Sequence, residues 1–131
     1  MTLFDMTGKV AVITGSTRGI GLAIAERMAE HGAKVVISSR KAEVCDQVAK
    51  AINARYGEGT AASIAANISS KDNLQRLVDE ANRTFGKIDV LVCNAASNPY
   101  YGPLANISDD QFRKILDNNI VANNWLISMV V

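Results

Sequence analysis

VAVITGSTRGIG, residues 10–21, determines how this chain folds. The run VAVI is continuously apolar, which is typical of a strand buried on both faces of a parallel sheet. Glycines follow in the spacing G-x-x-x-G-x-G, and an apolar helical repeat runs from Ile20 to Met28. A glycine-rich turn between a buried strand and an amphipathic helix predicts a βα unit that binds a phosphate group. The alternative is a structural turn with no ligand.

Each glycine of this turn has a physical role in that interpretation. Gly15 allows a tight turn with an unusual φ, and Gly19 lets a ligand approach the backbone because it has no Cβ atom. Gly21 lets the helix pack close to the sheet. The helix N-terminus then offers free N–H groups and the positive end of its dipole to a phosphate.

The alternation of strand and helix continues along the chain. Further apolar runs predict strands at KVVISS (34–39), TAASIAAN (60–67) and IDVLVC (88–93), with amphipathic helices between and after them. Ser69 with Asp72, and Ser108 with Gln111, resemble capping boxes that begin the last two helices. We therefore predict an α/β fold, a Rossmann-like doubly wound parallel sheet that is incomplete, with about four strands in the order 3-2-1-4.

Composition and charge limit the classes of function. The 131 residues have a formal net charge of +1, and we assign residues 1–131 to one Rossmann portion. No bulk positive charge and no apolar stretch of about 18 residues is present, so we expect no nucleic-acid or membrane partner. Cys45 and Cys93 match no metal spacing, and we expect no metal. The N-terminus has no basic and apolar leader, which predicts a cytoplasmic protein.

The glycine turn resembles that of the short-chain dehydrogenase/reductase family. Thr14–Gly21 fits the family motif T-G-x-x-x-G-I-G at every fixed position. NAAS, residues 94–97, lies where that family has N-N-A-G, and DNNIVANN, residues 117–124, lies where it has a helix asparagine. The resemblance runs along essentially the whole chain. It implies an oxidoreductase that interconverts carbonyls and alcohols by hydride transfer with a nicotinamide dinucleotide.

Arg18 and the residues after the second strand bear on which dinucleotide binds. An NAD-binding unit has an acidic residue there for the ribose hydroxyls, but this strand ends Ser38-Ser39-Arg40-Lys41. Arg18, Ser39 and Arg40 could instead surround a 2′-phosphate, which suits the guanidinium fork. The resemblance implies the same, so we predict NADP, with NAD as the alternative. The alternative to a ligand role is that both arginines are solvated surface charges.

The resemblance implies further contacts with the cofactor. Asn67 matches the position where the family usually has an Asp near the adenine, and Ile68 is its neighbour. Asn94 and Ala95 would line the cofactor and brace the central strand. The predicted cofactor-binding residues are together Gly15, Ser16, Thr17, Arg18, Gly19, Ile20, Gly21, Ser39, Arg40, Asn67, Ile68, Asn94, Ala95 and Ala96.

The last predicted helix has asparagines on or beside its apolar stripe. That stripe consists of Phe112, Ile115, Leu116 and Ile120. A buried amide without partners costs about 1–3 kcal/mol, so at least one asparagine should have a specific function. The resemblance implies that Asn119 is the catalytic asparagine, which holds a water in the proton relay behind the catalytic lysine. Alternatively, Asn118, Asn123 and Asn124 are exposed and Asn119 caps or packs locally.

No tyrosine of this chain matches the family's catalytic Tyr-x-x-x-Lys pair. Tyr56, Tyr100 and Tyr101 all lack a lysine four residues later. The chain breaks off at LISMVV inside an apolar helix, so we expect it to be truncated there. The parent protein would then be the enzyme, with its catalytic Ser, Tyr and Lys beyond this point, and these residues alone would be inactive.

Two further stretches suggest a subgroup of the family. VVISSRK and NAASNPYYGP resemble the carbonyl and retinal reductases, with Pro99, Tyr100 and Tyr101 bordering the substrate mouth. Alternatives are a 3-oxoacyl-carrier-protein reductase and, in another class, a non-catalytic dinucleotide-binding module. The resemblance also implies a small-molecule carbonyl or alcohol substrate. It further implies a homodimer or homotetramer that pairs through the helix beginning near Ser108 and the helix after it.

Overall fold

Strands and helices alternate in the computed structural model, which describes residues 3–131. The strands in that range are β1 (Val10–Thr14), β2 (Lys34–Ser38), β3 (Ala61–Ser63) and β4 (Val90–Val92). The helices are α1 (Gly19–Glu30), α2 (Ala42–Tyr56), α3 (Lys71–Phe85), α4 (Asp109–Leu116) and α5 (Ala122–Val130). A 3-10 turn spans Leu104–Asn106, and a π-helical turn, Asp117–Val121, joins α4 directly to α5.

The strands form one parallel sheet in the order β3-β2-β1-β4, which confirms the predicted Rossmann-like α/β fold. β1 pairs with β2, where Thr14 is opposite Ser38, and with β4, where Ile13 is opposite Val92. The carboxyl ends of these strands therefore meet at one edge of the sheet. Because the order of the strands reverses at β1, this edge is the switch point where open α/β sheets bind ligands.

Two apolar layers bury the sheet, one on each face. α1 and α2 cover the first face, where Ala25, Cys45 and Ile52 belong to one core with Ile13 and Ile37. α3 and α5 cover the second face with Leu74, Leu77, Val78, Ala81, Ala122 and Leu126. Since both faces are covered, the strands can be continuously apolar. No helix in the described part of the chain is long and apolar enough to cross a membrane.

The caps of the last helices differ from the prediction at one position. Ser108 and Gln111 form the predicted capping box at the start of α4. At α3, however, the cap is Ser70, whose Oγ accepts a bond from Asn73 N at 3.2 Å. The Ser69 side chain instead points back to Asn67, to whose Oδ1 both the Ser69 N–H and the Ser69 hydroxyl donate. The predicted pair Ser69–Asp72 was therefore wrong by one residue.

The apolar stripe predicted for the last helix is not its buried face. Phe112, Leu116 and Ile120 are 45%, 38% and 61% exposed, whereas Asn118 is only 6% exposed and Ala122 is buried. Side chains two residues apart on a helix point about 200° apart, so the face toward α3 is opposite this stripe. The alternative in which Asn118 is exposed is therefore wrong.

Candidate cofactor-binding site

The turn after β1 has the geometry that its glycine spacing predicts. Gly15 and Gly19 have φ values of +64° and +60°, in the left-handed region that favours glycine. A Cβ at Gly19 would meet no protein atom within 4 Å, so the backbone there faces open space. A Cβ at Gly21 would collide with the carbonyl oxygen of Gly15. α1 can therefore begin this close to the turn only because residue 21 has no side chain.

Ser16 joins the turn to β2. Its N–H donates to the Ser38 carbonyl at 3.1 Å, and its Oγ accepts from the Ser38 N–H at 2.9 Å. The Ser16 side chain is fully buried, while Ile20 at the start of α1 is 75% exposed. The structure thus gives Ser16 a role in fixing the turn, and contacts of Ser16 and Ile20 with a cofactor stay predictions.

Asn94 and Thr14 brace β1 against the segment that follows β4. Asn94 Nδ2 donates to the carbonyl oxygens of Thr14 at 3.1 Å and Gly15 at 3.0 Å. Thr14 Oγ1 in turn accepts from the N–H groups of Asn94 at 3.1 Å and Ala95 at 3.0 Å. The brace that the sequence predicts for Asn94 is present, and it fixes the carbonyl oxygen of the first glycine of the turn.

A groove of about 1050 Å³ lies at this edge of the sheet. Most of the predicted cofactor-binding residues line it: Gly15, Thr17, Arg18, Gly19, Ser39, Arg40, Asn67, Ile68, Asn94, Ala95 and Ala96. Lys114 and Asn118 of the last helix also line it, whereas Ser16, Ile20, Gly21 and Asn119 do not. The fold therefore brings together the four loop segments that follow the strands and part of the last helix at one site.

The charges that line the groove are all positive. Among residues 3–131, Arg18, Arg40, Lys41 and Lys114 are its charged side chains, and no carboxylate lines it. Within the same range, neither Arg18 nor Arg40 forms an ion pair. Both guanidinium groups are therefore available to a ligand. Such a groove favours an anion that carries phosphate groups.

Asn67 shapes the loop between β3 and α3. Its Oδ1 accepts from Ser69 N at 3.0 Å and from Ser69 Oγ at 2.7 Å, and its own N–H donates to Asn73 Oδ1 at 3.2 Å. The side-chain acceptor is therefore occupied within the loop. Nδ2 has no partner among the described residues, so it is the group that Asn67 can offer to a ligand.

The Asn119 side chain is held by the segment after β4. Its Oδ1 accepts from Ser97 N at 2.9 Å, and its Nδ2 donates to Ser97 O at 2.7 Å. The carbonyl oxygen of Asn119, within the π-helical turn, accepts from Asn123 Nδ2 at 2.9 Å. These bonds satisfy the part-buried amide, and they tie the last helix to the rim of the groove. A catalytic role for Asn119 stays a prediction.

Asn118 is a residue of the groove that the sequence reasoning missed. It is 6% exposed and lines the groove, and its amide has no hydrogen-bond partner among the residues described. Its polar atoms are not fully buried, so the amide is open to the groove and can bond to water or a ligand there. Its position four residues before the buried Ala122 is the signal that could have placed it on the inner face.

Cys93, Tyr100 and Tyr101 are the thiol and the phenol side chains at and after the end of β4. Burial raises the pKa of the Cys93 thiol, which favours the protonated form and fits a small apolar residue. The Tyr100 hydroxyl donates to the Pro103 carbonyl at 2.7 Å, and Tyr101 is fully exposed. In the described part of the chain, none of the tyrosines lines the groove.

With this geometry in place, comparison with known proteins identifies the family. Residues 9–131 match the family model for short chain dehydrogenases. The chain belongs to the short-chain dehydrogenase family. Dehydrogenase/reductase SDR family member 4 from Rattus norvegicus is 40% identical over 127 residues, which are 96% of this chain and 44% of that protein. Its counterpart from Oryctolagus cuniculus is 42% identical over 127 residues, 96% of this chain and 48% of that protein. The chain thus spans about half the length of these relatives.

Solved structures of the family share this fold. A 3-ketoacyl-(acyl-carrier-protein) reductase from Brucella melitensis, complexed with NADH, has a TM-score of 0.88 and 32% identity, over 97% of this chain and 50% of that one. The Pseudomonas aeruginosa RhlG/NADP active-site complex has a TM-score of 0.82 and 30% identity, over 98% of this chain and 47% of that one. These family members are thus described with different nicotinamide dinucleotides.

Proposed function

We propose that this chain is the cofactor-binding part of an NADP(H)-dependent oxidoreductase that interconverts carbonyls and alcohols. Membership of the family supplies the reaction class. The observation that carries the cofactor preference is the groove at the switch point, where the described lining has four cations and no carboxylate. Because the chain spans about half the length of its relatives, the activity proposed is that of the whole protein.

The residues present fit a dinucleotide at its diphosphate. The first internal bond of α1 runs from Leu22 N to Arg18 O, so the preceding N–H groups of the helix have no partner inside it. Gly19 faces open space beside them. N–H groups at a helix N-terminus are a favourable site for phosphate oxygens. When bound, the nicotinamide supplies or accepts the hydride, and this turn holds the cofactor in place.

The end of β2 is suited to a 2′-phosphate. Arg40 and Ser39 follow this strand and line the groove together with Arg18 of the neighbouring turn. An acidic residue here would bond the ribose hydroxyls of NAD and repel a phosphate. Two unpaired guanidinium groups instead offer charge-assisted bonds to phosphate, which are the stronger kind. NADP is therefore the proposed cofactor, and NAD is the less favoured one.

After β3, the strand next to β2, Asn67 and Ile68 would hold the adenine. The free Nδ2 of Asn67 can donate to a ring nitrogen, and Ile68 offers an apolar contact to a ring face. Asn119 is proposed to contribute to a proton relay. Its bonds to Ser97 tie its helical segment to the loop after β4. Pro99, Tyr100 and Tyr101 are proposed to border the substrate mouth.

A second candidate for the reaction is a 3-oxoacyl-carrier-protein reductase. It is supported by the similarity to the Brucella melitensis reductase at 32% identity. Both candidates use the same cofactor half, so the groove does not separate them. The proposed carbonyl and retinal reductase subgroup rests on the NPYYG loop, residues 98–102.

The assembly and location are proposals as well. The exposed apolar side chains Phe112, Leu116, Ile120 and Ile127 lie along one helical segment and would be covered in a homodimer or homotetramer. A small-molecule carbonyl or alcohol is the proposed substrate, and the cytoplasm is the proposed location.

Titration of the purified protein with NADPH and with NADH tests the cofactor proposal. The fluorescence of the reduced nicotinamide reports binding, and oxidation of NADPH in the presence of model aldehydes, ketones and 3-oxoacyl thioesters reports the reaction. We expect NADPH to bind more tightly than NADH. Equal affinities, or tighter NADH, would contradict the preference, and binding of neither would contradict the function.

A further inference from the structure

The thiol of Cys45 contacts Ser39 at the end of β2. Cys45 lies in the first turn of α2 and is fully buried. Its Sγ accepts a bond from Ser39 N at 3.1 Å, and it lies 3.2 Å from Ser39 Oγ and 3.7 Å from Ser39 O. One buried side chain thus contacts the backbone and the hydroxyl of a residue that lines the groove.

We propose that Cys45 is a positioning residue for cofactor specificity, which holds the Ser39 hydroxyl toward the 2′-phosphate of NADP. The inference rests on the proposed function, because it assigns that phosphate to the end of β2. Cys45 itself is buried and lies behind Ser39, so it acts through Ser39 without touching the cofactor.

The direction of the hydrogen bonds follows from the number of protons. A phosphate oxygen only accepts, so the single hydroxyl proton of Ser39 must be donated to it. Ser39 Oγ can then interact with Cys45 only as an acceptor from the S–H group, at the observed 3.2 Å. The competing acceptor, Ser39 O, is farther away and already accepts a bond from Ala66 N at 2.9 Å.

This arrangement has two consequences for the site. The S–H group fixes the rotamer of the Ser39 side chain, and the bond from Ser39 N to Sγ fixes the backbone from which Arg40 projects. A chain of hydrogen bonds that runs in one direction is also strengthened by mutual polarisation. Both effects concern groups that would contact the 2′-phosphate, so a cofactor that lacks this phosphate gains little binding from them.

A matched pair of variants separates this role from packing. Cys45→Ala and Cys45→Ser place side chains of similar volume in the core, and only the serine can donate and accept hydrogen bonds. We expect Cys45→Ala to weaken NADPH binding about 3- to 10-fold and NADH binding less than about 2-fold, as for loss of one or two hydrogen bonds. We expect Cys45→Ser to retain the preference for NADPH.

The outcomes distinguish this proposal from the proposed function. If the wild-type protein does not prefer NADPH, the cofactor proposal fails and this inference fails with it. If the wild type prefers NADPH and Cys45→Ala keeps the same NADPH/NADH ratio, only the role of Cys45 is overturned. A Cys45→Ser variant that behaves as Cys45→Ala would also overturn it, because volume alone would then explain the effect.

A double variant and a further replacement of Cys45 separate the proposed role from a folding defect. In Ser39→Ala protein the hydroxyl is absent but the bond from Ser39 N to Sγ remains, so adding Cys45→Ala should change the NADPH/NADH ratio less than it does in the wild type. An additional loss of the same size would overturn the proposal. If Cys45→Ala does not fold, Cys45→Val fills the space without a polar group and should reduce the ratio in the same way.

Discussion

Replacing Asn94 should loosen the glycine turn, and two variants should lower the free energy of unfolding by different amounts. Asn94→Ala removes the bonds from Nδ2 to the carbonyl oxygens of Thr14 and Gly15, at 3.1 and 3.0 Å. Asn94→Asp keeps the shape of the side chain but replaces this donor by an acceptor. A carboxylate oxygen would then lie against one or both of the same carbonyl oxygens.

The magnitude follows from the number of bonds lost. Each hydrogen bond contributes about 0.5–1.5 kcal/mol net, so Asn94→Ala should lower the free energy of unfolding by about 1–3 kcal/mol. Asn94→Asp loses the same bonds and leaves a charged group unsatisfied in a part-buried position, which costs more. We expect it to be at least about 1 kcal/mol less stable than Asn94→Ala at neutral pH.

Urea unfolding followed by the fluorescence of Trp125, the single tryptophan, measures both variants. The midpoint should shift without a change in slope if the native fold is kept. At acidic pH the new carboxyl of Asn94→Asp becomes protonated and can donate again, so the difference between the variants should narrow. An aspartate variant as stable as the alanine variant at neutral pH would refute the bonding assigned to Asn94.

Two further predictions concern charge. Replacing Arg18 and Arg40 together by Ala should weaken NADPH binding by about 30-fold or more, because charged hydrogen bonds to the 2′-phosphate are lost. NADH binding should weaken by less than about 2-fold. Equal losses of affinity in titrations with both cofactors would contradict a 2′-phosphate site. Asp89 accepts bonds from Lys87 Nζ at 3.0 Å and from Val10 N at 2.8 Å, and these partners hold the pKa of its carboxyl below the usual value. A lowered folded-state pKa means that this stabilisation is present above the unfolded-state pKa and is lost as the pH falls through the folded-state pKa. Asp89→Asn should therefore be less stable than wild type at neutral pH and equal to it in strong acid. A difference in the urea midpoint that does not change with pH would contradict a stabilising role of the Asp89 carboxylate.

The strand order was predictable because its signals are local. The apolar run before Gly15 marks a strand buried on both faces, and a crossover between parallel strands has one preferred hand. The cap of α3 was misplaced because Ser69 bonds to Asn67 two residues earlier, a local turn that the capping-box spacing does not contain. Short-range patterns thus fix the elements, while their ends depend on neighbouring side chains.

The candidate site was predictable only in part. Residues within the glycine turn share one motif, so Arg18 and Gly19 could be assigned from spacing alone. Asn118 was missed because the apolar stripe of its helix, which normally marks the buried face, faces away from the core, as the 61% exposure of Ile120 shows. The contact between Cys45 and Ser39 also escapes a pattern search, since it joins a helix start to a strand end through a buried sulfur atom.

The positive lining of the groove also governs how quickly a ligand arrives. The whole chain has a formal net charge of only +1, so four cations in one groove represent a strong local segregation of charge. A dinucleotide that approaches within a Debye length, about 8–10 Å at physiological ionic strength, is drawn toward this edge of the sheet before any contact forms. The association rate should therefore fall as salt is added, while the dissociation rate changes less. In the proposed function, the arginines that hold the cofactor would thus also help to direct its approach, together with Lys41 and Lys114.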